Sequence, residues 1–344
     1  MKNLFLFFFI IVATWACQSD KESYQTFKGQ AQGTTYQITY FDSANRNFQP
    51  EIDSILHHVD GALSNYITKS NLKDINQIQH KVTTLDTFGY VSKVFLSALT
   101  IYKRTEGAFN PAIYPLVKAY GFGPDGPASV AVNIDSLLNL TDLDSVSVEL
   151  QKNEAGQLMF EVTKQPYQQF DFNAIAQGMA VDLLFEFIQA QGVQDLFVEL
   201  GGELRVGGVN PSGKPWQVGI DKPEEHANER PLKAILSITN AAVATSGNYR
   251  KYAQYQGQKV VHTINPKSGM PVRHNLLSAT VVTSKAMEAD AYATAFMVMG
   301  YEQTRSFLTD HPNLNLEVYL IYSQKDGMKT YISEGLKKLV RELS

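Results

Sequence analysis

The stretch Phe170-Asp171-Phe172-Asn173-Ala174-Ile175-Ala176-Gln177-Gly178-Met179-Ala180-Val181-Asp182 sets a carboxylate and a capping side chain at the start of a helix. Asn173 is the expected cap. Ile175, Met179, Leu183, Leu184, Phe187 and Ile188 recur at helical spacing, and Gly192 is the expected stop. Free backbone N–H groups and the positive end of the helix dipole make such a start suited to phosphate. A loop carbonyl there also suits a hard cation. The same residues equally suit a plain cap over a core helix, and on this stretch alone both readings stand.

Outward from this helix, strands and helices alternate irregularly. Downstream, strands are expected at Leu196–Leu200, Trp216–Ile220, Ile235–Thr239, Val260–Ile264, Leu277–Thr283 and Leu316–Tyr322, with a helix from Glu288 to Met299. Upstream, Thr34 to Phe41 alternates Tyr36, Ile38 and Tyr40 and reads as a first strand. Ile52, Ile55, Leu56, Val59 and Leu63 follow helical spacing, as do Val91, Val94, Phe95, Ala98, Leu99 and Tyr102, with Gly107 as a stop. Val146–Leu150 and Leu158–Val162 flank Asn153-Glu154-Ala155-Gly156 and read as a hairpin. Hairpins outnumber regular βαβ units, which predicts an α+β fold of mixed, mainly antiparallel sheets with packed helices.

The 344 residues are 44% hydrophobic and 19% charged, ordinary for a globular chain, so disorder, collagen-like repeats and coiled coil do not fit. Lys and Arg total 30 against 34 Asp and Glu, a net charge of −4. With no basic excess to neutralise a phosphate backbone, nucleic acid is not an expected partner. Cys17 is the sole cysteine, so intrachain disulfides and thiolate metal sites are excluded. Met1-Lys2-Asn3 gives a positive start, and Leu4 to Ala13 is an apolar run too short to span a bilayer but suited to a signal peptide. Ala16 before Cys17 is similar to a bacterial lipobox, in which the cysteine is lipidated. The expectation is a signal peptide over 1–16, a polar lipid-anchored tether over 17–30, and one folded unit over 31–344, of one or two subdomains. It would be held on a membrane of the bacterial envelope, facing the periplasm or the outside.

Some motifs fail in context. Gly121-Phe122-Gly123-Pro124-Asp125-Gly126 matches a dinucleotide fingerprint literally, but Pro124 and Pro127 block the helix that must open there, so it reads as a loop. Marks of P-loop, α/β-hydrolase and zincin chemistry are absent. His57 and His58 are adjacent on a helix and do not share a face. By contrast, Asp290 and Thr294 lie four apart on one helical face. A carboxylate and a hydroxyl so placed offer hard oxygen ligands of the kind Mg²⁺ takes.

Taken in order along the chain, further motifs join these. They are Gly33-Thr34-Thr35-Tyr36; Asp60-Gly61-Ala62-Leu63-Ser64-Asn65-Tyr66 with Ser70-Asn71-Leu72 and Ile75-Asn76; and Glu106-Gly107-Ala108-Phe109-Asn110-Pro111. After the Asp171 segment come Glu199-Leu200-Gly201-Gly202-Glu203, Thr245-Ser246-Gly247-Asn248-Tyr249, His262-Thr263-Ile264-Asn265-Pro266-Lys267-Ser268-Gly269-Met270-Pro271, and Glu288 to Thr294. In this order and at these separations the chain resembles the FAD:protein FMN transferases, the ApbE-like flavin transferases, over about residues 30–340.

The resemblance implies an enzyme that uses Mg²⁺ and takes FAD as substrate. Such an enzyme transfers the FMN half to a threonine or serine hydroxyl of a partner protein, a membrane redox subunit in the family's usual case, and releases AMP. Carried over by position, Gln32, Tyr66, Ala108, Phe109, Asn110, Asp171, Gln177 and Ile264 are FAD-contacting positions. The Ala174 carbonyl, Asp290 and Thr294 are the metal positions, and His262 is the candidate general base. The family commonly has Met at Gln32, Asp at Asn110, Gly at Asn173 and Lys at Gln177. The last difference removes a cation beside the pyrophosphate. Two alternatives use the same residues: an FAD pyrophosphatase yielding FMN and AMP, and a flavin-binding lipoprotein without activity.

Overall fold

A computed structural model describes residues 24–124, 126, 133–224, 231–248, 252–255 and 258–343. The expected signal peptide and Cys17 lie outside the described residues, as does Tyr249. The apolar–polar alternation of Thr34–Phe41 makes it one member of an eight-stranded sheet whose spatial order follows the chain: Tyr24–Ala31, Thr34–Phe41, Leu196–Leu200, Glu203–Gly207, Ala241–Gly247, Leu276–Thr283, Glu317–Gln324 and Gly327–Ile332. Every neighbouring pair is antiparallel. The antiparallel α+β expectation holds.

Both faces of this sheet are covered. Ile38, Tyr40, Val198, Leu200, Ala242, Ala244, Ala279 and Val281 face the helices Ala176–Ala190 and Ala286–Met299. Leu204, Val206, Val243, Val282, Tyr319 and Ile321 face a second, three-stranded sheet of Trp216–Asp221, Leu232–Ile238 and Val340–Glu342. The period-two alternation of the strands thus feeds two separate cores. Ala286–Met299 is buried nearly all round and carries no polar stripe, as a helix between a sheet and other helices must be. The helices Gln49–Leu63 and Tyr90–Arg104 close the first core, beside a third sheet of Lys81–Leu85, Ser147–Lys152 and Leu158–Thr163. The last two strands form the hairpin expected from sequence. Among the described residues no helix is long and apolar enough to cross a membrane.

Three expectations are corrected. Residues 24–30 of the expected tether instead belong to the edge strand Tyr24–Ala31, joined to Thr34–Phe41 by a two-residue turn. Its outward residues are polar because one face meets water, while Phe27 stacks on Tyr40 with ring centroids 5.6 Å apart. Asn173 does not cap the following helix, which runs Ala176–Ala190 with Ile175 at the cap position and no side-chain cap bond. The strand expected at 260–264 is Gln258–Val261, and Ile264 makes only an isolated bridge to Pro271.

Register gathers particular turns at one end of the large sheet. Gln32 and Gly33 form the first hairpin turn, both with positive φ (51° and 73°), the geometry of a type I′ loop. Tyr36 pairs with Leu200, and the Gly201 N–H donates to the Thr35 carbonyl at 3.0 Å, so the Gly201–Gly202 turn lies alongside. Val243 pairs with Leu204, which brings Thr245 and Ser246 to the same end.

Candidate functional site

Asp290 stands in the Ala286–Met299 helix and is buried. Its Oδ2 accepts the Gly178 N–H at 3.2 Å, from the first turn of Ala176–Ala190. Burial, and next the charge of Glu203, push its carboxyl well above the usual carboxylate range. One helical turn on, Thr294 Oγ1 lies 3.3 Å from Ser246 Oγ. Ala174 precedes the cap residue Ile175, in a turn closed by the Ile175 and Ala176 N–H groups donating to the Phe172 carbonyl at 3.0 and 2.8 Å. In a continued helix the Gly178 N–H would reach back to Ala174. Asp290 takes it instead, so the helix ladder does not claim the Ala174 carbonyl. The set is two carboxylates, two hydroxyls and a carbonyl, all hard oxygen donors, with like charges close together in a buried place. That chemistry fits a divalent cation of the Mg²⁺ kind.

The second cluster is built from loops. Asn76 clamps the start of the Asp171 turn: its Oδ1 accepts the Phe170 N–H at 2.7 Å and its Nδ2 donates to the Phe170 carbonyl at 2.9 Å. Asn65 donates to the same carbonyl at 3.1 Å. The Asp171 N–H donates to the Pro111 carbonyl at 2.7 Å, tying the turn to the Ala108–Asn110 segment. Asp171 Oδ1 accepts the Asn173 N–H at 2.8 Å, and Asn173 Nδ2 donates to the Tyr66 hydroxyl at 3.1 Å. Burial raises the Asp171 carboxyl to about 6, opposed by the Asn173 N–H. Tyr66 is 56% exposed, an aromatic face open beside this turn. Gln177 packs at Gly201: a Cβ built there would lie 3.0 Å from Gln177 Nε2 and 2.9 Å from Thr34 Cγ2. The Gln32–Gly33 hairpin, the Gly201–Gly202 turn and the helix start therefore converge.

The third wall is the segment from His262. His262 sits edge-on to Phe122, with centroids 6.3 Å apart. Thr263 Oγ1 donates to Asn248 Oδ1 at 2.6 Å, and Ile264 is buried with Leu116 and Tyr120. Asn110 Nδ2 donates to the Thr141 carbonyl at 2.9 Å, and Thr141 Oγ1 in turn donates to the Pro266 carbonyl at 3.5 Å. Ala108, Phe109 and Asn110 are buried, and both ends of the Asn110 amide are engaged by backbone, the oxygen accepting from Ala112. These residues shape the wall by their backbone, and Phe109 belongs to the core.

A model of the ApbE family matches residues 32–320. The chain belongs to the ApbE family. It is 32% identical to the FAD:protein FMN transferase of Haemophilus influenzae over 332 residues, 94% of this chain and 93% of that protein. It is also 32% identical to the FAD:protein FMN transferase of Vibrio cholerae, covering 98% of each. Among solved structures, the flavin transferase ApbE of Vibrio cholerae superposes with a TM-score of 0.78 at 30% identity, covering 92% of this chain and 99% of that one. The apo flavinyl transferase ApbE of Pseudomonas stutzeri gives 0.78 at 28% identity, over 92% and 96%.

Within this ApbE chain, two contributors had no role assigned from sequence. Glu203 was part of a quoted motif, but its charge near Asp290 is a product of sheet register. Ser246 faces Thr294 because alternation along Ala241–Gly247 turns it toward the helices, whereas Thr245 pairs with Thr280 at 2.8 Å on the other face. The side-chain alternation was the available signal.

Proposed function

We propose that this protein carries out protein flavinylation as an Mg²⁺-dependent enzyme, moving the FMN half of FAD onto a threonine or serine hydroxyl of a partner protein and releasing AMP. The transfer of flavin follows from family membership and the relatives' activity. The observation that carries the metal is the buried carboxylate of Asp290 against Gly178, one turn from Thr294 and close to Glu203.

In this reading Asp290, Thr294 and the Ala174 carbonyl would hold the cation, which would supply charge neutralisation at the pyrophosphate. The start of Ala176–Ala190 presents backbone N–H groups to the phosphates. Tyr66 offers its ring to the flavin. The acceptor hydroxyl attacks the phosphorus on the riboflavin side, and the bond from that phosphorus to the AMP oxygen breaks. A phosphodiester to FMN forms, AMP leaves, and the hydroxyl proton passes to a base, for which His262 is proposed. We further propose that Cys17 carries a lipid anchor, placing the enzyme on the envelope membrane, with membrane redox subunits as acceptors.

Incubation with FAD, Mg²⁺ and an acceptor peptide, followed by mass spectrometry, tests the reading. Transfer adds an FMN moiety to the peptide with matching AMP. FMN and AMP released equally with and without peptide would make it a pyrophosphatase, and no turnover would leave a flavin-binding protein.

A further inference from the structure

We propose that Asp182 is a positioning residue that sets where Asp290 stands, by capping the helix of Asp290 from the neighbouring helix. The inference rests on the reading of Asp290 as a metal ligand.

Asp182 is 1% exposed. Its Oδ1 accepts the Ala286 N–H and its Oδ2 accepts the Met287 N–H, both at 3.0 Å. These are the first two N–H groups of Ala286–Met299, whose own cap residue, Lys285, supplies no side-chain cap bond. The cap therefore comes from another helix, where helix starts usually rely on a nearby residue. Arg205 completes the arrangement, donating to Oδ1 at 2.8 Å with its guanidinium over the Phe185 ring at 4.3 Å.

Spacing turns this cap into a register device. Gly178 and Asp182 are one turn apart on Ala176–Ala190, and Ala286 and Asp290 are one turn apart on Ala286–Met299. Two rungs join the helices in opposite senses: Asp182 accepts from Ala286 and Met287, and Asp290 accepts from Gly178. Between them the backbones touch, since a Cβ on Gly178 would lie 2.3 Å from the Ala286 carbonyl oxygen. Two rungs and a contact fix both the slide and the rotation of one helix on the other. A single rung would leave the rotation of Asp290 about the helix axis to packing alone. The Asp182 oxygens are themselves taken by the Ala286 and Met287 N–H groups and by Arg205.

Asp182→Asn keeps size but turns an N–H₂ toward one of the two helix N–H groups, so one cap bond is lost. Mg²⁺ is titrated calorimetrically into the full-length protein with FAD and no acceptor, and FAD binding is measured separately without metal. The expected result is about 10-fold weaker Mg²⁺ binding, the scale of losing a group that orients a ligand. Metal-free FAD affinity stays within about twofold, and transfer recovers most of its rate at saturating Mg²⁺. Unchanged Mg²⁺ affinity, or Mg²⁺ and metal-free FAD affinities falling together, overturns the inference. Asp290→Ala is run alongside. If it binds Mg²⁺ like the wild type, the metal reading itself fails. If it loses Mg²⁺ while Asp182→Asn does not, only the positioning role fails. Should Asp182→Asn not fold, Arg205→Gln loosens the same carboxylate, and about threefold weaker Mg²⁺ binding is expected. No change there overturns the proposal equally.

Discussion

Asp290 and Thr294 project from a helix enclosed by sheet and helices, whereas Tyr66 and Asn173 meet across 107 residues of chain at the tips of two loops. The first pair is held by backbone geometry and by a neighbouring helix. The second is held by a chain of amide hydrogen bonds through Asn65 and Asn76 to the Phe170 backbone. Enclosure suits a cation that must meet ligands at fixed distance. Loop construction suits a large planar ligand that must enter and, after transfer, depart as two pieces. The difference predicts that substitutions in the enclosed half act on the chemical step, and those in the loop half act on binding.

The sharpest separation comes from Asp290→Ala, which removes the proposed charged ligand of the enclosed half. Transfer should slow by about 10²-fold or more, comparable to losing a principal electrostatic contact at a reacting centre. Melting without Mg²⁺ should change little, because the cost of a buried carboxylate beside Glu203 is offset by its bond from the Gly178 N–H. Thr294→Ala should slow transfer less, since water can replace a neutral ligand. A wild-type rate for Asp290→Ala ends the metal assignment.

In the loop half, Tyr66→Ala should weaken FAD binding by about 10-fold through loss of ring stacking, within the range for one base-sized stack. The rate at saturating FAD should remain within about threefold. If instead the rate falls and affinity holds, the division between the halves is wrong.

The enclosed half was largely legible in the sequence because it is local. Asp290 and Thr294 share a face by helical spacing, and the start of Ala176–Ala190 was found to within a few residues. Glu203 was not legible as a neighbour of Asp290, because strand register brings it there from far along the chain. Asn173 looked like a cap because such residues usually are, but the Phe172 carbonyl closes the turn, freeing its amide for Tyr66. The Tyr24–Ala31 strand was hidden by its polar outer residues, since an edge strand shows only half of a core pattern. The loop half became visible only through the resemblance, as nothing in Tyr66 alone points to a turn so distant in the chain.

Asp171 gives the loop half a pH signature. Its carboxyl is raised to about 6 by burial, so the folded protein holds a proton there that the unfolded chain releases near 4. Its contribution therefore favours folding at low pH and is lost as pH rises through about 6. In the proposed binding mode the ionised form would also face the pyrophosphate with like charge. Metal-free FAD binding should weaken by about threefold between pH 5 and 7.5, and Asp171→Asn should flatten that profile. A slope that survives in Asp171→Asn assigns the titration elsewhere.

The smallest effect sits where the two halves touch. Gln177 lies in the first turn of Ala176–Ala190, its amide packed near Gly201 and Thr34. The family commonly places lysine here, so Gln177→Lys would set a cation beside the proposed position of the phosphates. The site is half-buried, and the helix start already favours negative charge, so the gain is a modest addition to an existing field. FAD binding without Mg²⁺ should tighten about threefold at low ionic strength, and the gain should shrink above physiological salt as screening shortens its reach. With Mg²⁺ present the gain should be smaller still, because cation and lysine neutralise the same oxygens. The Mg²⁺ concentration needed for half-maximal transfer should then rise slightly, since the two positive charges compete for one pyrophosphate. A salt-insensitive gain would come from packing against Gly201 and not from charge. Weaker FAD binding would place the phosphates away from this turn, and the division into an enclosed metal half and an open flavin half would have to be redrawn around a different boundary.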